Sequence, residues 1–328
     1  MTEMIAIEKI PRIKLASGRN IPSIGMGTFG SDKNGPDEVS AAVAGAIRFG
    51  YRFFDCASVY GNESQIGKVF EDAFLDRVVK REELFITSKV WNDMHGKVRE
   101  SLSKTLTDLR LSYVDAYFVH WPFPNYHAPG CDGDSRNPDS LPFCPDRFIA
   151  VWEQMEEIHR IGLATHLGMS NMTISKLEAV LPRCKIKPEL IEMEQHPSFQ
   201  QQELFDYCNK NNITVIGFCP LGSPNRPERD KTPDDVTDTE LPEVVAVAKA
   251  HGIHEALVCL KWAVQRGSIP IPFSVKEKNY QSNLRTVTED PLTPQEMELL
   301  KKAERGCRLV KGQVFLWPQA KGWEDLWD

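Results

Sequence analysis

Four proton-bearing side chains, Asp55, Tyr60, Lys89 and His120, stand at the ends of successive apolar runs that read RFFDCASVYGNE, FITSKVW and YFVHWP. A Ser170–Asn171 pair ends a later run, GMSN, and GFCPLGS breaks in the same way. A phenol alone has a pKa of about 10 and exchanges its proton poorly near neutrality. A neighbouring ammonium favours the phenolate and lowers that value. Asp55 would keep Lys89 charged and aimed at Tyr60, while a neutral His120 offers a donor to a carbonyl oxygen. Tyr60 would then serve as acid towards a developing alkoxide, or as base towards an alcohol in the reverse direction. None of the four is a good nucleophile and no metal-ligand set is evident, so the scheme lacks a hydride source, which must be a cofactor.

Each residue also has an ordinary structural reading. Tyr60 could bond solvent at a strand end, Asp55 and Lys89 could form a partly buried ion pair, and His120 could be a satisfied core histidine. Their coincidence at successive strand ends favours one shared site, because such ends converge on one face of a barrel.

The elements that would position them alternate along the chain. A turn at Ser17-Gly18 within IKLASGRNIPSIGMGTF reads as a hairpin leading into a strand. Strand patterns follow at 24–27, 52–55, 84–89, 114–120, 166–170, 190–194, 214–219 and 269–272. Helical patterns alternate with them at 37–49, 63–74, 97–109, 146–161, 173–181, 200–211, 242–251, 255–266, 279–285 and 294–304. Eight β-then-α units favour a single α/β domain over 1–328, a (β/α)₈ TIM barrel with an N-terminal β-hairpin and long loops at its C-terminal face; an open doubly wound sheet is the alternative. Two connections exceed ordinary length: 121–147, with six prolines, and 221–242. Three tryptophans, Trp317, Trp323 and Trp327, crowd the last twelve residues, and so much aromatic area should pack against the open end of the barrel.

The chain has 328 residues and a formal net charge of −7, with acids and bases scattered. That distribution argues against a nucleic-acid partner, which would want a clustered basic face. Eight cysteines lack any zinc spacing and read as reduced thiols of a cytoplasmic protein, although Cys131 and Cys144 share a loop and could pair if oxidised. The first ten residues carry acids among apolar residues and do not read as a signal peptide, and no apolar run has the length of a membrane span. The charge and the lack of a long exposed apolar run are compatible with a monomer or weak dimer.

Over nearly its whole length the chain resembles the aldo-keto reductases, through GMGTF, RFFDCASVYGNE, TSKVW, VHWP, GMSN, EQHP, FCPLGS, IPFS and the tryptophan-rich tail. The resemblance implies that Asp55, Tyr60, Lys89 and His120 form a catalytic tetrad with Tyr60 as the acid. It implies NADP(H) or NAD(H) held extended across the barrel without a Rossmann fold, which the absence of GxGxxG fits. It assigns Ser170, Asn171 and Gln195 to the nicotinamide carboxamide, Phe218 to stacking on the ring, and Leu221 and Ser223 to the pyrophosphate. Thr28, Asp55, Phe273, Ser274, Asn279 and Asn283 complete the cofactor positions. Phe29, Val59, Trp91, His120, Trp121, Phe315 and Trp317 would surround a small carbonyl substrate, and the 121–147 loop, with Tyr126, His127, Asp132 and Asp134, would add polar selectivity.

One departure stands out. Relatives that prefer NADPH carry a lysine and an arginine where this chain has Phe273 and Asn279, and neither of these neutralises a 2′-phosphate; Lys276 and Lys278 stand nearby. A weakened NADPH preference is therefore expected. The function expected is reduction of an aldehyde or ketone, of sugar, steroid or other type, to the alcohol. Two rivals are a catalytically silent nicotinamide-binding regulatory subunit, and a Schiff-base lyase using Lys89.

Overall fold

Backbone hydrogen bonding turns the eight apolar runs into one parallel sheet whose strands follow chain order. The computed structural model describes residues 5–31, 33–128, 131–133, 136–224 and 226–328. The sheet runs β3 (Met26–Gly27), β4 (Phe53–Asp55), β5 (Phe85–Val90), β6 (Val114–Val119), β7 (Ala164–Ser170), β8 (Leu190–Glu194), β9 (Thr214–Phe218) and β10 (Ile269–Pro270), each parallel to the next. Two further bonds join its edges: Gly25 N donates to Pro270 O at 3.0 Å and Gly27 N to Pro272 O at 3.2 Å. The sheet thus closes into the (β/α)₈ barrel expected from the alternation. Closure needs a bare backbone at Gly27, where a Cβ would lie 2.9 Å from Ile271 O.

The hairpin is β1 (Arg12–Lys14) paired antiparallel with β2 (Asn20–Pro22). Leu15 and Ile21 from it join Phe53, Phe85, Leu190 and Ile269, each the first residue of its strand, in one buried cluster. The hairpin therefore plugs the N-terminal end of the barrel. Alternation of side chains along a strand puts Phe118, Ile216 and Ile271 in the same interior. The lower barrel is thus largely apolar, with His166 packed on Phe85 and bonded to Glu189, and the polar groups Asp55, Thr87, Lys89 and Ser170 lie nearer the C-terminal ends of the strands.

Ten helices lie among the described residues. The first eight are α1 (Pro36–Phe49), α2 (Glu63–Leu75), α3 (Val98–Leu109), α4 (Pro145–Arg160), α5 (Ile174–Val180), α6 (Gln202–Lys210), α7 (Pro242–His251) and α8 (Glu255–Gln265), followed by α9 (Glu277–Thr286) and α10 (Pro294–Lys301). Their boundaries follow local chemistry. α1 opens with Pro36 at its first turn, and Glu38 accepts from Gly35 N at 3.2 Å. α10 has a reciprocal cap, Glu296 N to Thr293 Oγ1 at 3.3 Å and Thr293 N to Glu296 Oε2 at 2.7 Å. Helical spacing lays Val39, Val43, Ala46 and Ile47 of α1 against the outer face of the sheet, each large aliphatic contributing about 1.5–3 kcal/mol on burial.

After α10 the chain returns across the C-terminal face. Leu309 N and Val310 N donate to the Glu194 carboxylate at 2.7 and 2.8 Å. Val314, Phe315, Leu316 and Leu326 are buried with Trp121 and Phe123, so the aromatic tail does cover the open end. All eight cysteines are free thiols, Cys131 and Cys144 included.

Packing inside the barrel sets one testable constraint. Phe118 pairs with Gly168 across β6 and β7, and a Cβ at 168 would lie 2.2 Å from the fully buried Phe118 ring. Gly168→Ala should cost about 1–3 kcal/mol, read as a lower urea midpoint, and Phe118→Leu in the same chain should recover part of it. An unchanged midpoint in the single variant would contradict this packing.

Candidate active site

The polar upper barrel is assembled strand by strand. β4 brings Asp55 inward in phase with Phe53, and Asp55 pairs in register with Thr87. β5 brings Thr87 and Lys89 inward in phase with Phe85. After β4 the backbone makes a tight turn, Ser58–Tyr60, ended by Gly61 at φ 67°, and this turn presents Tyr60. His120 follows β6 in phase with Phe118.

Lys89 is wholly buried, and its Nζ donates to Asp55 Oδ1 and Oδ2 at 2.7 and 2.6 Å, to Cys56 O at 3.1 Å and to the Tyr60 hydroxyl at 3.4 Å. Thr87 Oγ1 donates to Asp55 Oδ1 at 2.6 Å. Thr28 Oγ1 donates to Asp55 O at 2.8 Å, and Asn62 Nδ2 holds Thr28 O at 2.7 Å. A buried ion pair persists only when its remaining donors and acceptors are satisfied, and these bonds do that. The structure thus brings Asp55, Lys89 and Tyr60 into one hydrogen-bonded unit, and His120 joins it edge-on, its ring centroid 6.0 Å from that of Tyr60.

The protonation states follow. Burial pulls Lys89 down, but the acidic groups around it, the hydrogen-bonded Asp55 first, outweigh this and hold the ammonium well above its usual range. Burial and then the Lys89 and His95 charges push His120 well below the usual imidazole range, so it is neutral, and its Nδ1 has no protein partner. Burial raises Tyr60 above the ordinary phenol range, and the charge of Lys89 lowers it only in part. The lysine acts in the direction expected, yet desolvation wins, and Tyr60 stays a phenol at neutral pH. Such a phenol is in the state a proton donor needs.

The end of β7 supplies the next polar group. Asn171 adopts φ 58°, and its Nδ2 donates to His120 O at 2.9 Å and to Ser170 Oγ at 3.2 Å, while its backbone N donates to Glu192 O at 3.0 Å. Asn171 Oδ1 is buried without a partner, as is Glu192 Oε2. A buried amide with spare capacity, as at Asn171, fits a carboxamide, which needs both a donor and an acceptor. Gln195 follows β8: its Nε2 donates to Gln200 O at 3.4 Å, its side chain lies against Gly217, and its Oε1 is buried without a protein partner.

The remaining cofactor positions line the following loops. Phe218 is half-buried at the end of β9, and Leu221 and Ser223 follow in a loop in which Ser223 has φ 37°. Beyond β10, Phe273 and Ser274 are half-buried, and Ser274 Oγ accepts from Asn279 Nδ2 and Lys276 N at 3.2 Å each. Asn279, Lys276 and Lys278 are exposed, and Asn283 is buried in α9.

Aromatic side chains wall the approach to Tyr60 and His120. Phe29 and Val59 sit exposed at the rim, with the Phe29 ring 5.1 Å from Tyr60. Trp91 lies 5.0 Å from His120 and 5.9 Å from Phe315, and Trp121 lies 4.7 Å from Phe315. Trp317 is half-buried in the same cluster, and His127 packs 5.5 Å from Phe315. Tyr126 and Asp132 are exposed, while Asp134 lies outside the described residues.

Glu192 was not among the residues singled out from the sequence. Its signal was a carboxyl in the middle of the apolar run LIEME, in phase with the inward Leu190. Among the described residues no group of three or more His, Cys, Asp or Glu could hold a metal ion, and no helix is long and apolar enough to cross a membrane.

Comparison with known proteins agrees with this geometry. The model of the Aldo/keto reductase family matches residues 23–305. The chain is 38% identical to aldo/keto reductase slr0942 of Synechocystis sp., covering 98% of each chain. It is 36% identical to human aldo-keto reductase family 1 member A1, covering 91% of this chain and 90% of the relative. It is also 36% identical to the Xenopus tropicalis protein of the same name, covering 90% and 89%. With a closed barrel, a buried lysine–aspartate pair beside a tyrosine, and a match over most of its length, the chain belongs to the aldo/keto reductase family of carbonyl-reducing, NAD(P)H-using oxidoreductases.

Proposed function

We propose that this protein reduces an aldehyde or ketone to the alcohol within one domain spanning 1–328, with Tyr60 as the proton donor. The observation that carries this reading is the single ammonium of Lys89, bonded to Asp55 on one side and 3.4 Å from the Tyr60 hydroxyl on the other. Bound nicotinamide supplies the hydride. Ser170 and Asn171 would hold its carboxamide, Phe218 would stack on the ring, and Leu221 and Ser223 would meet the pyrophosphate.

The substrate oxygen would sit between the Tyr60 hydroxyl and the neutral His120 ring, which orients it. As charge develops on that oxygen, Tyr60 releases its proton to it, and Lys89 stabilises the phenolate left behind. Asp55 keeps the ammonium in place. In the oxidative direction the same groups run in reverse, with Tyr60 as base. The aromatic wall favours substrates with an apolar face beside the carbonyl. A Schiff base on Lys89 is disfavoured, since an amine held charged by two short carboxylate contacts is a poor nucleophile. The same reading makes the partner a small carbonyl compound, the protein cytoplasmic, and its assembly a monomer or weak dimer.

Replacing Tyr60 by Phe removes the donor and keeps the ring. Turnover should fall by about 10²–10⁴-fold, with cofactor affinity by fluorescence titration unchanged. Near-normal turnover in Tyr60→Phe would overturn the assignment.

Cofactor choice is a separate expectation. Phe273 and Asn279 offer no cation, and Lys276 and Lys278 are exposed at the start of α9. Two missing charge-assisted bonds, each about 1.5–3 kcal/mol, should bring the NADPH-to-NADH ratio of kcat/KM below about a hundredfold. A ratio far above that would show that another cation binds the 2′-phosphate.

A further inference from the structure

β8 carries a second carboxyl into the buried cluster. Glu192 is 3% exposed, and its Oε1 lies 3.4 Å from Lys89 Nζ, while Oε2 has no protein partner. The groups around it come from every neighbouring strand. Asp55 of β4 and Tyr60 of the turn beyond it face it across Lys89, and Thr87 shares β5 with that lysine. His120 follows β6, Ser170 of β7 pairs with Glu192 in register, and on β9 its register partner is the apolar Ile216. Glu63 of α2 lies behind the sheet, bonded to Ser88 and Thr105.

Among the described residues Lys89 is the only cation in contact with Glu192, and it is already engaged. Asp55 receives two bonds of 2.6–2.7 Å from Lys89 and another from Thr87, whereas Glu192 has one long contact. One ammonium does not compensate two buried carboxylates, so the less well bonded one keeps a proton.

We propose that Glu192 is a positioning residue of the reductive site, protonated while Tyr60 donates, and that its ionisation on the alkaline side switches carbonyl reduction off. The inference rests on the reductase reading above and adds a residue to it. Burial, followed by the charge of Asp55, pushes the Glu192 carboxyl up to about 8 against the pull of Lys89. Below that pH, Asp55, Lys89 and Glu192 together are neutral. Above it they carry a net negative charge, and the charge of Glu192 makes the Tyr60 proton harder to release. Lys89 is then shared between two carboxylates and stabilises the phenolate less.

The test is the pH profile of kcat for aldehyde reduction at saturating reduced nicotinamide. The wild type should fall roughly tenfold between pH 7 and pH 9, as one group titrating near 8 requires. Glu192→Gln mimics the protonated form and should stay level over that range, with turnover at pH 7 within a few-fold of wild type. Glu192→Asp should keep an alkaline fall at a displaced midpoint. A second readout needs no turnover: the infrared band of a protonated carboxyl, taken as wild type minus Glu192→Gln, should vanish as pH rises through 8. Should Glu192→Gln fail to fold, Glu192→Asp supplies the same comparison through a displaced band midpoint. An alkaline fall in Glu192→Gln equal to that of wild type would overturn the proposal, as would the absence of the band at neutral pH. Absence of all carbonyl turnover in the wild type would instead strike the reductase reading itself.

Discussion

The rest of the site depends on a positive charge buried inside a barrel whose lower half is largely apolar. Lys89 has no access to water, and a lone ammonium there would be prohibitively costly. Asp55 answers it with two short hydrogen bonds, and Thr87, Thr28 and Asn62 fix Asp55 in turn. The pair is thereby locked on adjacent strands. Its field then does the chemistry: it helps keep His120 neutral, and it is positioned to stabilise a phenolate at Tyr60. Burial, and then the charge of Asp55, push Glu192, the second carboxyl within reach of that ammonium, towards neutrality against the pull of Lys89.

The barrel supplies the geometry because alternation puts every second residue inside. Phe53, Phe85 and Phe118 fill the floor, and one step further along the same faces come Asp55, Thr87 and His120. Above them the chain builds a lid from remote segments. A second buried cluster holds that lid: His196 Nε2 lies 2.8 Å from Glu194, and its Nδ1 lies 2.9 Å from Asp238 in the loop after β9. Burial lowers His196, but the bonds and charges of Asp238 and Glu194 outweigh this and hold it near 9. Because Glu194 also accepts from the backbone of the tail, one imidazolium ties β8, the loop after β9 and the tail together.

Much of this was legible in the sequence, for physical reasons. Strands and helices differ in period, so the eight units and their boundaries could be read to within a residue or two in most cases. Runs that end on Asp, Lys or His mark where a strand leaves the apolar core, and Asp55, Lys89 and His120 do come together. The tail had to pack because its tryptophans are large. Other features were hidden. Glu192 stands in the middle of an apolar run, and only the pleat of β8 shows that it turns inward. The net rise of Tyr60 depends on how fully its surroundings exclude water, which no local pattern encodes. The edge bonds through Gly25 and Gly27 join residues more than two hundred positions apart, and only the closed barrel reveals why those glycines are needed.

The central claim is that the Lys89 ammonium, held by Asp55, makes Tyr60 a competent proton donor. The most direct measurement is single-turnover aldehyde reduction by Lys89→Met, with folding checked by circular dichroism and cofactor affinity by tryptophan fluorescence. The account predicts a folded protein that binds the nicotinamide and reduces the aldehyde at least about a hundredfold more slowly than wild type. A folded Lys89→Met that reduces the aldehyde at the wild-type rate would contradict it.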